Sequence, residues 1–229
     1  MSANGQALMT VFVFFSSITA TRAQFPAQLD ADDFDGRNGF TVTGAVLGEF
    51  GWSAAGVGDV NDDGVDDFMS GGRGVEWDEF CVPFYPPTAG AVYVIFGRRD
   101  IGADGLWGVE RLDGRNGFRI PGIEVGDECG YVSAAGDFNN DGIADFFVGA
   151  RSVSPFGILV AGDAYLIYGG SQLGAEGEFD LTSLDGSNGF TIHGMFPLGG
   201  LGTYMAEIGD FNDDGVSDVA LGNPAASPG

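Results

Sequence analysis

The chain has 229 residues, 44% hydrophobic and 13% aromatic, with 41 glycines and 20 phenylalanines. Its formal charge is −24 with only 9 lysines and arginines, which excludes the usual means of holding nucleic acid or an anionic membrane surface. So many phenylalanines argue against an acidic disordered tail, and glycine without a three-residue period points to tight turns rather than collagen.

The first feature in chain order is the apolar run over residues 7–20, followed by Thr21-Arg22-Ala23-Gln24. A run of about 14 residues suits a signal-peptide core better than a membrane span, which needs about 20. Residues 1–23 are therefore expected to be a leader. The mature chain, 24–229, is then secreted or at the cell surface, without membrane insertion. Residues 1–6 hold no lysine or arginine, however, and the plain alternative is a buried first strand.

The remainder repeats itself. Phe34-Asp35-Gly36-Arg37-Asn38-Gly39-Phe40 returns as Leu112-Asp113-Gly114-Arg115-Asn116-Gly117-Phe118 and as Leu184-Asp185-Gly186-Ser187-Asn188-Gly189-Phe190. Each copy is followed by an acidic run, opening at Asp59, Asp137 and Asp210. Two motifs keeping one period of about 75 residues define units of about 34–111, 112–183 and 184–229. In the first unit strands are predicted over 40–43, 52–57, 68–70 and 91–96; in the second, over 118–120, 131–135, 146–150 and 164–168. Runs such as Ala91-Val92-Tyr93-Val94-Ile95-Phe96 are β-branched and aromatic, and no window carries a capped helical period. The expected class is all-β, built of four-stranded propeller blades, with a sandwich as the alternative.

The acidic runs carry the chemistry. In Asp59-Val60-Asn61-Asp62-Asp63-Gly64-Val65-Asp66-Asp67, side-chain oxygens come from Asp59, Asn61, Asp63 and Asp67, and the carbonyl of Val65 adds another. The second run offers Asp137, Asn139, Asp141, Ile143 (carbonyl) and Asp145; the third offers Asp210, Asn212, Asp214, Val216 (carbonyl) and Asp218. Calcium takes six to eight hard oxygens in a flexible shell, so each set plus water suffices. Magnesium demands stricter octahedral geometry, and zinc prefers nitrogen and sulfur. An EF-hand needs a glutamate at its twelfth position, where these runs have Ser70, Val148 and Leu221. Such clusters also make plain hairpin turns, but three in register with the same ligands favour three Ca2+ sites.

Two cysteines, Cys81 and Cys129, permit one disulfide; Cys129 stands where the first unit has Phe50, so a buried thiol is the alternative. His193 is the sole histidine, without a recognisable nucleophile nearby, and no Gly-x-Ser-x-Gly elbow occurs. Intrinsic catalysis is not expected.

Phe50-Gly51 before the first acidic run and Gly71-Gly72-Arg73 after it resemble the FG-GAP repeats of the integrin α-subunit propeller and its bacterial relatives. The second unit reads Cys129-Gly130 and Gly149-Ala150-Arg151, the third Leu201-Gly202 and Gly222-Asn223-Pro224, so the calcium runs are the better-preserved half. The resemblance implies that each calcium loop joins strands one and two of a blade. Residues 39–43 then belong to a preceding or closing blade, with blades over about 48–123 and 126–194 and a third begun near 198. A ring cannot close on two and a half blades, so an open arc is expected. The turn over 76–87 would lie opposite the calcium loops, where Trp77, Phe80, Phe84 and Tyr85 are candidate contacts for a protein or glycan ligand, if they do not simply pack on the next blade. The implied function is a calcium-dependent extracellular module for adhesion or ligand binding. The alternatives are a passive calcium-stiffened segment of a surface protein and, behind it, an accessory propeller of a hydrolase or phospholipase.

Overall fold

A strand covered on both faces needs apolar side chains at consecutive positions, and the central runs of each unit have them. In the computed structural model, which describes residues 10–14, 30–44, 50–74 and 88–225, these runs form strands. In chain order the strands are β1 (Thr10–Phe14), β2 (Gly39–Thr43), β3 (Ser53–Gly58), β4 (Asp67–Gly72), β5 (Ala91–Ile95), β6 (Leu106–Gly108) and β7 (Gly117–Pro121). There follow β8 (Cys129–Gly136), β9 (Asp145–Ala150), β10 (Asp163–Ile167), β11 (Gly189–His193), β12 (Tyr204–Gly209) and β13 (Asp218–Gly222).

Two complete antiparallel blades result, ordered β3-β4-β5-β7 and β8-β9-β10-β11, together with a pair β12-β13 and a sheet β1-β2-β6. The fold is an incomplete propeller, as expected. Gly39–Thr43 lies outside the first blade, so each sequence unit opens with the last strand of the blade before it.

The two-residue period of the strands sorts side chains between interfaces. Val92 and Val94 of β5 join Phe146 and Val148 of β9 in the core between the complete blades. Tyr93 and Ile95, one residue out of phase, pack instead with Phe40, Val42 and Trp107. Phe147 and Leu166 turn the other way, toward Leu201, Met205 and Val219. Cys129 lies in the core as a free thiol, burial pushing it up to about 12, and Phe50 is buried at the matching place in the first unit.

Glycine settles the approach of blade to blade. A Cβ at Gly71 would overlap the carbonyl of Gly130, and one at Gly149 would overlap that of Gly202. The glycines of the second and third Phe-Gly-like pairs thus meet the first glycine of the preceding closing tripeptide, so the two halves of the repeat signature are two sides of one contact.

The other repeated motif is a self-contained turn. Asp35 Oδ1 accepts from Arg37 N at 2.9 Å, Asn38 Oδ1 accepts from Asp35 N at 3.2 Å, and Gly36 N donates to Gly39 O at 2.9 Å. The same pattern recurs around Asp113 and Asp185.

Two strands lie outside those predicted for the repeat units. Thr10–Phe14, inside the run expected to be a leader core, forms β1 and pairs antiparallel with β2. β6, not read from sequence, runs parallel to β2, and an Arg119↔Glu178 bridge repeats that link one blade later. Trp77, Phe80, Cys81, Phe84 and Tyr85 lie outside the described residues. Among those described, no helix is long and apolar enough to cross a membrane.

Candidate metal loops

The acidic runs connect β3 to β4, β8 to β9 and β12 to β13, which are strands one and two of successive blades. Their backbone follows one path. Position four is left-handed in all three (Asp62 φ 62°, Asn140 φ 58°, Asp213 φ 62°), as is the position-six glycine (Gly64 87°, Gly142 93°, Gly215 90°). Asp and Asn tolerate that region better than most side chains, and glycine enters it freely.

This path gathers three of the four predicted side chains at the loop tip. Asp63 N donates both to Asp59 Oδ1 and to Asn61 Oδ1, each at 3.0 Å, so both oxygens converge on one amide. Asn61 Nδ2 reaches Asp63 Oδ2 at 3.2 Å, and Gly64 N donates to Asp59 Oδ2 at 2.7 Å. The second loop reproduces the set: Asp141 N reaches Asp137 Oδ1 at 2.9 Å and Asn139 Oδ1 at 3.0 Å, with Asn139 Nδ2 to Asp141 Oδ2 at 2.9 Å. The third keeps the Asp214 N to Asp210 Oδ1 contact at 2.9 Å, but Asn212 Nδ2 turns to Asp218 Oδ1 at 3.3 Å.

The ninth-position aspartate points inward instead. Asp67 is 3% exposed, its Oδ2 accepting from Val60 N at 3.0 Å and its Oδ1 from Gly97 N at 2.8 Å. Asp145 is fully buried and accepts from Phe138 N, Asn139 N and Gly169 N. Each ties the loop to the second residue after strand three, Gly97 or Gly169. Burial pushes Asp67 up to about 7 and Asp145 up to about 6; backbone N–H groups oppose the shift, and the nearby carboxylates of Asp63 and Asp59, or of Asp141, add to it. Asp218 accepts from Phe211 N and Asn212 N, with the Asn212 amide standing where the first two loops use a strand-three amide.

Among the described residues no three His, Cys, Asp or Glu side chains gather as a metal cluster. That agrees with the tips, where two carboxylates and one amide converge and the third carboxylate is turned inward. The donors are hard oxygens, and the tip groups bond only within their own loop. This set fits a hard divalent cation, with Asp59, Asn61, Asp63 and Asp67 and their counterparts as the holders. When bound, such an ion supplies positive charge that relieves the mutual repulsion of these carboxylates. The first loop also touches the next blade: Asp59 O accepts from Ala144 N of the second loop at 3.2 Å, and Val60 O from Gly170 N of the β10–β11 connection at 2.9 Å.

Sequence reasoning passed over two polar groupings. His193 Nδ1 lies 3.1 Å from both oxygens of Asp163, its direct cross-strand partner, and Phe156 meets the imidazole edge-on at 5.0 Å. Burial raises the Asp163 carboxyl and the His193 contact opposes this. The second grouping is Glu128, held between Arg73 and Arg151 at 3.8 and 3.5 Å. The arginines closing both Gly-x-Arg tripeptides were the available signal for it.

No family model matches the chain. Among curated proteins, phosphatidylinositol-glycan-specific phospholipase D of Rattus norvegicus is 39% identical over 100 residues, covering 44% of this chain and 11% of that protein. The Dictyostelium discoideum protein of the same name is 29% identical over 215 residues, covering 88% and 21%. Integrin alpha-5 of Xenopus laevis is 26% identical over 179 residues, covering 76% and 14%. The matched stretches thus span between 11 and 21% of these relatives' own lengths. With its blades, its repeated acidic loops and these relatives, the chain is similar to the FG-GAP-containing N-terminal β-propeller of integrin alpha chains.

Proposed function

We propose that this propeller segment binds calcium at its three strand-one to strand-two loops and serves as an extracellular module for adhesion or ligand binding. The carrying observation is one loop path repeated in three successive units, with an Asp-Asn-Asp tip and a buried ninth-position aspartate in the first two. A plain hairpin turn needs no carboxylates converging at its tip, nor a buried one beneath it. The segment is not itself catalytic in this reading.

A ligand face is supported on the side away from the loops. There the β9–β10 connection exposes Phe156 (78%) and Leu159 (62%), beside Met195 and Leu198 of the β11–β12 connection. Leu198 N donates to Leu159 O at 2.8 Å, so the two connections share one surface. The sequence candidates Trp77, Phe80, Phe84 and Tyr85 lie outside the described residues. The phospholipase D relatives support a second reading, a non-catalytic propeller within a larger hydrolase.

Calorimetry should show calcium uptake at up to three sites, with a melting temperature that rises on binding. At a concentration 100 times Kd, one site adds about 2.7 kcal/mol. Asp63→Ala, Asp141→Ala and Asp214→Ala should each remove one share. No uptake at millimolar calcium would sink the metal reading. Capture of matrix proteins or glycans, lost in chelator, would support adhesion over a passive stiffened segment.

A further inference from the structure

The nine basic residues of the chain are all arginines, and four of them fall within residues 98–115: Arg98, Arg99, Arg111 and Arg115. They lie on the connection from β5 to β6 and on the turn that leads into β7. This stretch has a twin, since residues 95–118 of the first unit and 167–190 of the second correspond one to one without a gap. The backbone bonds recur at matching places. Gly105 N donates to Gly102 O, and Gly177 N to Gly174 O, each at 2.8 Å; Phe96 N donates to Asn116 O, and Tyr168 N to Asn188 O, each at 3.1 Å. The twin builds this frame with Gly170, Ser171, Ser183 and Ser187 in place of the four arginines. The frame does not require them.

In the first unit the frame holds a cleft of about 380 Å³. Trp107 and Asn116, 2% and 8% exposed, form its floor. Asn116 is fixed there, its Oδ1 accepting from Asp113 N at 3.1 Å and its Nδ2 donating to the Arg111 carbonyl at 2.7 Å. The exposed side chains of Arg98, Asp100, Asp104 and Arg111 stand around the mouth. Arg98 Nε meets Asp100 Oδ1 at 3.2 Å, whereas Arg111 and Asp104 form no ion pair among the described residues. Charge cancels over 98–116, where the four arginines are matched by Asp100, Asp104, Glu110 and Asp113. Over 170–188 the twin carries Glu176, Glu178, Asp180 and Asp185 with no basic residue.

We infer that this cleft binds an uncharged, hydroxyl-rich ligand, a unit of a neutral glycan. Balanced charges set up no field that draws in an ion, and the formal charge of −24 on the chain repels anions. What the cleft offers instead is guanidinium donors beside carboxylate acceptors. A sugar hydroxyl both donates and accepts, so neighbouring hydroxyls satisfy Arg111 and Asp104 together, through hydrogen bonds of the stronger, charge-assisted kind. The volume is that of a small-molecule site. The cleft lies on the side of the acidic loops, because Gly97 N, next to Arg98, donates to Asp67 Oδ1 at 2.8 Å. It uses none of the loop oxygens and is separate from the face carrying Phe156, so it rests on neither of those readings.

The test applies the whole chain to an array of neutral, sulfated and sialylated glycans, with calcium and with chelator. Neutral glycans should be captured in both. Arg98→Gly with Arg111→Ser, the residues the twin carries, should weaken capture about tenfold or more without shifting the melting temperature. Asp104→Ala, a second variant that leaves every bond of the frame in place, should weaken it as well; at an oxyanion site the same change would strengthen capture. A preference for sulfated or sialylated glycans, capture that Asp104→Ala improves, or no capture of any neutral glycan would overturn the inference. Capture that chelator abolishes and the arginine pair leaves unchanged would belong to the opposite face, and would overturn it too.

Discussion

Asp185 and Asp145 are both aspartates of repeated, glycine-rich turns, and they behave oppositely. Asp185 is solvent-exposed and accepts from Ser187 Oγ at 2.7 Å and Ser187 N at 2.8 Å; those bonds hold its carboxyl below the usual carboxylate range. Asp145 accepts three backbone N–H groups, yet burial beneath the Asp137–Asp141 tip pushes it up to about 6. The first turn is complete as it stands. The second holds more negative charge than its own donors balance, which is the condition a cation corrects. Two motifs equally regular in sequence therefore have different physical roles, one a turn and the other a loop suited to a ligand.

The largest effect that sharpens this contrast is expected at the buried carboxylate. Asp145→Ala leaves the amides of Phe138, Asn139 and Gly169 without their acceptor. A buried unsatisfied group costs about 1–3 kcal/mol, so the loss should be about 3 kcal/mol in urea unfolding with chelator present. Asp218→Ala, where the loop is exposed and no strand-three amide is engaged among the described residues, should cost about 1 kcal/mol. Equal losses at the two sites would break the comparison.

That difference between Asp145 and Asp218 also marks what the sequence could reveal. The acidic loops and most of the strands were legible, because turn chemistry and two-residue alternation are local, whereas the place of Gly39–Thr43 in the preceding blade came only from the resemblance to FG-GAP repeats. The ninth-position aspartate was legible as an oxygen donor but not as a tether, since its partners Gly97 and Gly169 lie across the sheet. The run Thr10–Phe14 is apolar enough to serve as a leader core or as a strand, and its pairing with β2 is a long-range register that no local pattern states. The Asp163–His193 pair depends on a cross-strand register that no local pattern states.

A second effect, intermediate in size, is a dependence of stability on pH. Asp67 and Asp145 stand at about 7 and about 6 in the fold, against an ordinary 3.8. The unfolded chain therefore releases these protons first as pH rises. Stability is fully present below the ordinary value and is lost as pH climbs through the folded values. In chelator the melting temperature should fall between pH 4 and pH 7 and level off above. Calcium requires the deprotonated ligands, so its addition should flatten the slope by stabilising the upper end. Asp67→Asn with Asp145→Asn should flatten it without calcium. A profile that rises over this window in chelator would contradict the assigned burial.

The smallest effect belongs to Asp185, and it runs the other way. Its carboxyl is depressed by the Ser187 hydroxyl and amide, so its contribution is present above the ordinary value of 3.8 and disappears as pH falls below it. Asp185→Ala should lower the melting temperature slightly at neutral pH, by less than either buried substitution, because water replaces the lost acceptor at an exposed site. The change should be the same in calcium and in chelator, since the turn touches none of the acidic loops' ligands. As pH falls from 3.8 through the lower folded value, the variant and the parent should converge. A calcium-dependent difference at Asp185 would mean that the two kinds of turn communicate, and the separation between structural and ligand-holding acids would no longer stand.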